Sequence, residues 1–207
     1  MKKIITTPIS YESIKDLRTG DILYLSGTLV TGRDDVHLRV VKENLTCPFD
    51  FEGMAIMHAG PIIKESPDGN AMVAIGPTSS IRMEEYAGDF IRLTGLRMMV
   101  GKGGMGEKTS RACKEYGAIH CMFPGGCAVI AAACVQRIAG VYWRELGMPE
   151  ALWEMRVKEF GPLIVTIDTT GANLFLENKA YYASRLDACK KPVLDSVKDI
   201  MQIKASK

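Results

Sequence analysis

The sequence predicts a single α/β domain whose strand-rich front half gives way to alternating strands and helices. Three apolar, β-branched runs precede the first long helical pattern: "GDILYLSGTLVTG" (20–32), "AIMHAGPII" (55–63) and "AMVAIGP" (71–77). After them, short strands and helices follow one another in the manner of βα units. The 207 residues are 47% hydrophobic, enough to bury one core, and no internal repeat divides them, so the domain is expected to run over 1–207.

The first run closes on Gly32, and the next two are joined by the turn-rich "KESPDGN" (64–70). "SSIRMEEYAGDFIRLTG" (79–95) has hydroxyl residues at its start, acids in its first turns and glycine past its end, the order that predicts a helix, although Gly88 weakens it. Then come a strand at "LRMMV", a glycine loop, a helix over 107–116, a strand at "AIHCMF" and a helix over "GCAVIAAACVQRIAG". A tryptophan-bearing stretch, "VYWRELGMPEALWEMRVKEFG", leads to the strand "PLIVTID", and the tail from Asn178 to Ile203 has helical spacing.

Charged residues make up 24% of the chain and nearly cancel, leaving +2; with no basic run longer than a pair, nucleic acid is not the expected partner. The start "MKKIITTPISYESIK" lacks the apolar core of a signal peptide, and no stretch approaches the ~20 apolar residues of a membrane span. A cytoplasmic protein is expected, with Cys47, Cys113, Cys121, Cys127, Cys134 and Cys189 as reduced thiols. They contain no C-x-x-C, so the chain alone is not expected to bind zinc or an iron–sulfur cluster.

The loop "VGKGGMGEKT" (100–109) raises the first question of function. Gly101, Gly103 and Gly106 spell G-x-G-x-x-G, yet the next strand ends in Pro124, Gly125 and Gly126 rather than in the acid that holds a ribose, which disfavours a dinucleotide enzyme. A Walker loop fails too, because Glu107 stands where its lysine belongs. The physics beneath both motifs survives: glycine backbone N–H groups and the next helix's N-terminus favour an anion, and Lys102 adds a full charge. A plain turn with a solvated lysine explains the same residues equally well.

Two further loops bear on that choice. "GPTSSIRM" (76–83) offers Thr78 and Arg82, which would lie one turn apart on one side if the helix has begun by Thr78. "TGRDDVHLR" (31–39) offers Arg33, Asp34, Asp35 and His37 after a strand. An N-cap with a surface arginine, and an exposed charged turn, are the bland readings of the two. Converging Arg33, Arg82 and Lys102 would suit a small dicarboxylate, since arginine's planar fork matches a carboxylate.

The stretches "LSGTLVTGRDDVH", "HAGPI", "GPTSSIRM", "VGKGGMG", "FPGGCAV", "ELGMPEALW" and "KEFGPLIVTID" occur in this order over roughly residues 4 to 180. Together they resemble the β subunits of the class I fumarase and L(+)-tartrate dehydratase family, with wording nearer to the tartrate dehydratase β subunits. The resemblance implies a swivelling β/β/α domain like the C-terminal domain of class I fumarases. It implies a hydro-lyase acting on a 2-hydroxydicarboxylate, with a [4Fe-4S] cluster on a separate α subunit in a hetero-oligomer. By position it makes Thr78 the proton-abstracting base and Arg33, Arg82 and Lys102 substrate ligands. Asp34 and His37 are expected to orient Arg33 and its loop, and Gly101 and Gly103 to shape the Lys102 loop. A non-catalytic partner subunit with a vestigial dicarboxylate pocket is the alternative.

Overall fold

The computed structural model describes residues 2–67 and 69–205, with residues 195 and 198–205 as backbone only. Asp68, inside the expected turn 64–70, lies outside the described residues, as do Met1, Ser206 and Lys207 at the ends of the expected domain. The chain divides into two compact units, Met1–Leu174 and Phe175–Lys207.

In the first unit the elements run β1 (Lys3–Thr6), α1 (Tyr11–Ile14), β2 (Ile22–Thr31), α2 (Asp34–Val41), β3 (Ala55–Met57), β4 (Ala59–Lys64) and β5 (Ala71–Pro77). A 3-10 turn over Ser80–Met83 leads into α3 (Glu84–Thr94), followed by β6 (Met98–Gly101), α4 (Glu107–Tyr116) and β7 (Ile119–Met122). Then come α5 (Ala128–Ala133), β8 (Val135–Tyr142) and the long β9 (Leu152–Ile167). The second unit is the greater part of α6 (Leu174–Ala205), a helix where the tail's spacing predicts one. Among the described residues no helix is long and apolar enough to cross a membrane.

β2, β3, β6 and β7 pair in parallel in that order. β9 then runs antiparallel to both β7 and β2, so the ladder closes on itself. β1 and β8 flank this ring, and β4 and β5 form a separate hairpin. Side chains alternate as a strand dictates. Met57 and Val100 join Leu25, Cys121 and Val165 in one core, whereas Ile56 and Met99 meet Phe90, Ile91 and Ala112 of α3 and α4 in the other. Each such fully buried aliphatic side chain contributes about 1.5–3 kcal/mol relative to exposure. Gly88 fits this packing, because a Cβ there would touch Ala112 of α4 at 3.4 Å.

Three readings of the sequence need correction. The run 55–63 is two strands in two sheets, parting at His58. The helix expected over 126–140 stops after six residues, Ala128–Ala133, and the rest is β8, which pairs with the first half of β9. Partnership with a neighbouring strand overrides local helical preference there. "TGRDDVHLR" is no simple charged turn: its second half opens α2, with Arg33 at the N-cap position.

Candidate functional site

The parallel strands β2, β3 and β6 all finish at one end of the ring, the end at which open α/β sheets place their ligands. Arg33 follows β2, His58 follows β3, and Lys102 follows β6. Thr78, just past β5, enters between the last two. His58 N–H donates to the Val100 carbonyl at 2.7 Å, and the His58 carbonyl accepts from Thr78 N–H at 2.6 Å. Lys102 N–H donates to the Thr78 carbonyl at 2.9 Å, and Ser80 N–H donates to the Lys102 carbonyl at 3.0 Å. Backbone bonds thus pin Thr78 and Lys102 side by side while their side chains stay accessible, Thr78 half-buried and Lys102 exposed. The 3-10 turn begins only at Ser80, so no helical turn relates Thr78 to Arg82, contrary to the condition set by spacing.

Ser79 takes the N-cap position without capping through its side chain, and the buried Ser80 hydroxyl turns inward to His58 Nδ1, 3.0 Å away. Gly101 makes room for that contact, since a Cβ there would lie 1.9 Å from Ser80 Oγ. Gly103 serves differently: its φ of +76° lets the loop turn, with open space around it. The stem of Lys102 lies against the "FPGG" loop, where a Cβ on Gly125 would be 3.3 Å from Lys102 Cδ.

Both arginines meet carboxylates. Arg82 Nε donates to Asp34 Oδ1 at 3.1 Å and Arg82 Nη2 to Asp34 Oδ2, a forked ion pair. Asp34 therefore holds Arg82 rather than the neighbouring Arg33. Arg33 Nε lies 2.5 Å from Glu150 Oε1. This contact is ionic: the buried Nε–H has no hydrogen-bond acceptor. The link from Arg33 through Asp34 to Arg82, and the backbone link from Thr78 to Lys102, bring all four expected site residues to one end of the sheet.

The floor beneath them is made of histidine. The chain's three, His37, His58 and His120, are all fully buried. His37 and His58 meet edge to face with centroids 5.2 Å apart, and His58 and His120 lie 6.4 Å apart. His37 Nδ1 is 2.9 Å from the Arg33 carbonyl, so Nδ1 carries the proton and supports the loop backbone. Among the described residues the Nε2 atoms of all three lack a hydrogen-bond partner. Burial pushes His37 down to about 4 and His120 to about 3. His58 is held well below the usual histidine range by burial and by its neighbours His37, His120 and Arg82. The floor is neutral at physiological pH.

The helix N-terminus after the glycine loop is already taken. Glu84 of α3 accepts from Gly106 N–H at 2.6 Å, Lys108 N–H at 2.9 Å and Thr109 N–H at 3.3 Å, and from the Thr109 hydroxyl at 2.6 Å. The loop does gather donors for an anion, as its glycines predict, but that anion is the protein's own carboxylate. This corrects the expectation that the start of α4 helps hold a ligand.

Among the described residues no group of three or more His, Cys, Asp or Glu is arranged to hold a metal ion. The buried thiols of Cys113 and Cys121 are pushed up by burial, away from the thiolate that metal binding requires. What the structure gathers here is two arginines paired with carboxylates, an exposed lysine and a half-buried threonine hydroxyl. His58, Ser80, Glu84 and Glu150 were not singled out from the sequence, because each acts through a partner from 22 to 117 positions away.

Fold and site together define an α/β domain that gathers cations at the ends of neighbouring strands. The chain belongs to the Fumarase C-terminus family, which it matches over residues 2–178. It is 52% identical over 197 residues to the L(+)-tartrate dehydratase subunit beta of Escherichia coli (strain K12), covering 95% of this chain and 98% of that one. A Methanocaldococcus jannaschii protein, provisionally named L(+)-tartrate dehydratase subunit beta, is 44% identical over 84% of this chain and 92% of its own length. A Geobacillus stearothermophilus protein, provisionally named fumarate hydratase class I, is 39% identical over 93% of this chain but only 37% of its own length.

Proposed function

We propose that this chain is the β subunit of a cytoplasmic hydro-lyase that reversibly eliminates water from a 2-hydroxydicarboxylate, L-tartrate to oxaloacetate or L-malate to fumarate. The observation that carries the reading is the gathering of Arg33, Arg82, Lys102 and Thr78 at one end of the sheet. The names of the relatives supply the reaction class.

In this reading the arginines and Lys102 bind and orient the substrate carboxylates, Arg33 through its two terminal nitrogens and Arg82 through the N–H groups that Asp34 leaves over. The C3 proton passes to Thr78 Oγ. A threonine hydroxyl is a weak base, and the charges of Arg82 and Lys102 favour its alkoxide while also stabilising the aci-carboxylate left by the departing proton. Each such preorganised donor is worth about 2.7–4 kcal/mol of barrier. The fully buried histidines behind the loops form a low-dielectric interior that strengthens these charge effects. A [4Fe-4S] cluster belongs, in this reading, to the partner α subunit, where it supplies Lewis-acid chemistry toward the leaving hydroxyl; the described residues here offer no ligand set for it.

The test is an anaerobic dehydratase assay of the chain co-expressed with its cluster-bearing partner, offering L-tartrate and L-malate separately. Turnover of one of them by the complex, and by neither subunit alone, supports the reading and names the substrate. An assembled complex with intact cluster that turns over neither would favour a vestigial pocket.

A further inference from the structure

The motif "ELGMPEALW" (145–153) has no part in the chemistry above, yet the structure ties it to the site. Its turn is firmly set. Glu150 N–H and Ala151 N–H both donate to the Gly147 carbonyl, at 3.1 and 2.9 Å. On the far side, Thr31 Oγ1 donates to the Ala151 carbonyl at 3.2 Å and accepts from Trp153 N–H at 3.0 Å, while Trp153 Nε1 donates to the Met148 carbonyl at 2.8 Å. Ala151, Leu152 and Trp153 are buried, so Glu150 projects from an anchored segment.

Glu150 has two contacts with the Arg33 loop. Its Oε1 lies 2.5 Å from Arg33 Nε, and its Oε2 accepts from Asp35 N–H at 3.3 Å. The side chains of Arg33 and Glu150 are only 23% and 17% exposed, so the pair is much less screened than a surface pair. Gly60 of β4 closes the other side. A Cβ there would meet the Pro149 carbonyl at 2.9 Å and Arg33 Cζ at 3.2 Å, so the guanidinium is seated between the β4 backbone and the Pro149–Glu150 turn. Because the Glu150 contact is made at Nε, it compensates the charge of Arg33 and does not engage the terminal nitrogens. Among the described residues no side-chain hydrogen bond of Arg33 is formed, which leaves its fork for a ligand.

We infer that Glu150 is a positioning residue for the dicarboxylate site: it seats Arg33 against β4 and keeps its terminal nitrogens free for a substrate carboxylate. This rests on the function proposed above. Burial holds the Glu150 carboxyl above the usual carboxylate range, against the opposing charge of Arg33, as expected of an acid set into the wall of a site.

The test is a double-mutant cycle on the assembled complex with Glu150→Gln, Arg33→Met and the double variant, reading KM and kcat for the substrate the wild-type complex uses. Glu150→Gln should raise KM about tenfold with kcat within about threefold, and add nothing in the Arg33→Met background. An unchanged KM, or an equal rise in both backgrounds, would overturn the inference, as would a lowered melting temperature with KM intact. The Arg33 Nε–Hε resonance of the full chain, followed by NMR in wild type and Glu150→Gln, gives a readout independent of turnover. Faster Hε exchange in the variant supports the seating role even if the complex acts on neither tartrate nor malate, and identical exchange contradicts it.

Discussion

Two regions of this molecule gather groups that attract anions, and Lys102 of one shares a loop with Gly106 of the other. At the start of α4, four donors converge on Glu84 and are used up by it. At the ends of β2, β5 and β6, Arg33 and Arg82 also meet carboxylates, yet the Arg33 contact uses no aligned N–H and Lys102 stays exposed. The first arrangement is saturated and structural. The second compensates charge while leaving the terminal nitrogens of Arg33 and the Lys102 ammonium without a hydrogen-bond partner among the described residues, the condition that the proposed dianion site needs. A glycine-rich loop before a helix therefore says that an anion is held, but whose anion it is depends on what the opposite helix contributes.

The largest effect that would sharpen this contrast is on chemistry. In the assembled complex, Thr78→Ala should lower kcat by about 10³-fold or more while dicarboxylate binding and assembly persist, read by steady-state turnover and size-exclusion chromatography. Retention of most activity would remove Thr78 from the base role. Next, Arg82→Ala or Lys102→Ala should each lower kcat/KM about 10²–10³-fold, since each removes a preorganised cation from the open site.

The histidine floor allows a stability test. Its groups have folded-state pKa values lowered from 6.5 to about 4 for His37 and about 3 for His120. The unfolded chain then binds more protons in acid. Their contribution is fully present above about 6.5 and is lost as pH falls from there through the folded values. Each contributes a slope of about 1.4 kcal/mol per pH unit within that window, so denaturant midpoints should fall steeply from pH 6 to pH 5. A flat profile would mean that the floor is wet or charged.

The smallest effect separates the two anion regions most cleanly. Glu84→Gln should cost about 1–2 kcal/mol of stability, through the lost charge at a helix start, and leave KM within about twofold. A large rise in KM with normal stability would place the α4 terminus inside the binding site after all.

Much of this architecture was legible in the sequence, for reasons local to each element. β2, β5, β6 and α4 sit where apolar runs and capping glycines predict, because their periodicity and punctuation agree with their tertiary environment. The split at His58 was hidden: "AIMHAGPII" is apolar on both sides of its histidine, and only the sheet partners decide that Ala59 leaves the sheet that Met57 ends. β8 was hidden by the alanine-rich start of its own segment, since its strand state comes from β9 rather than from composition. Arg33, Thr78, Arg82 and Lys102 stood out as cations and a hydroxyl in loops after strands. Glu84 and Glu150, by contrast, have nothing in their own neighbourhoods to mark the distant N–H groups and guanidinium that they serve.

The central claim is that Arg33, Arg82 and Lys102 form the dicarboxylate site. The direct measurement is an anaerobic calorimetric titration of L-tartrate and of L-malate into the assembled complex carrying Thr78→Ala, which removes turnover. Beside it stands the same complex with Arg33→Met and Arg82→Met added. The account predicts one binding event per copy of this chain for the cognate acid in the first complex, weakened at least about 100-fold in the second. Equal affinity in the two would contradict it.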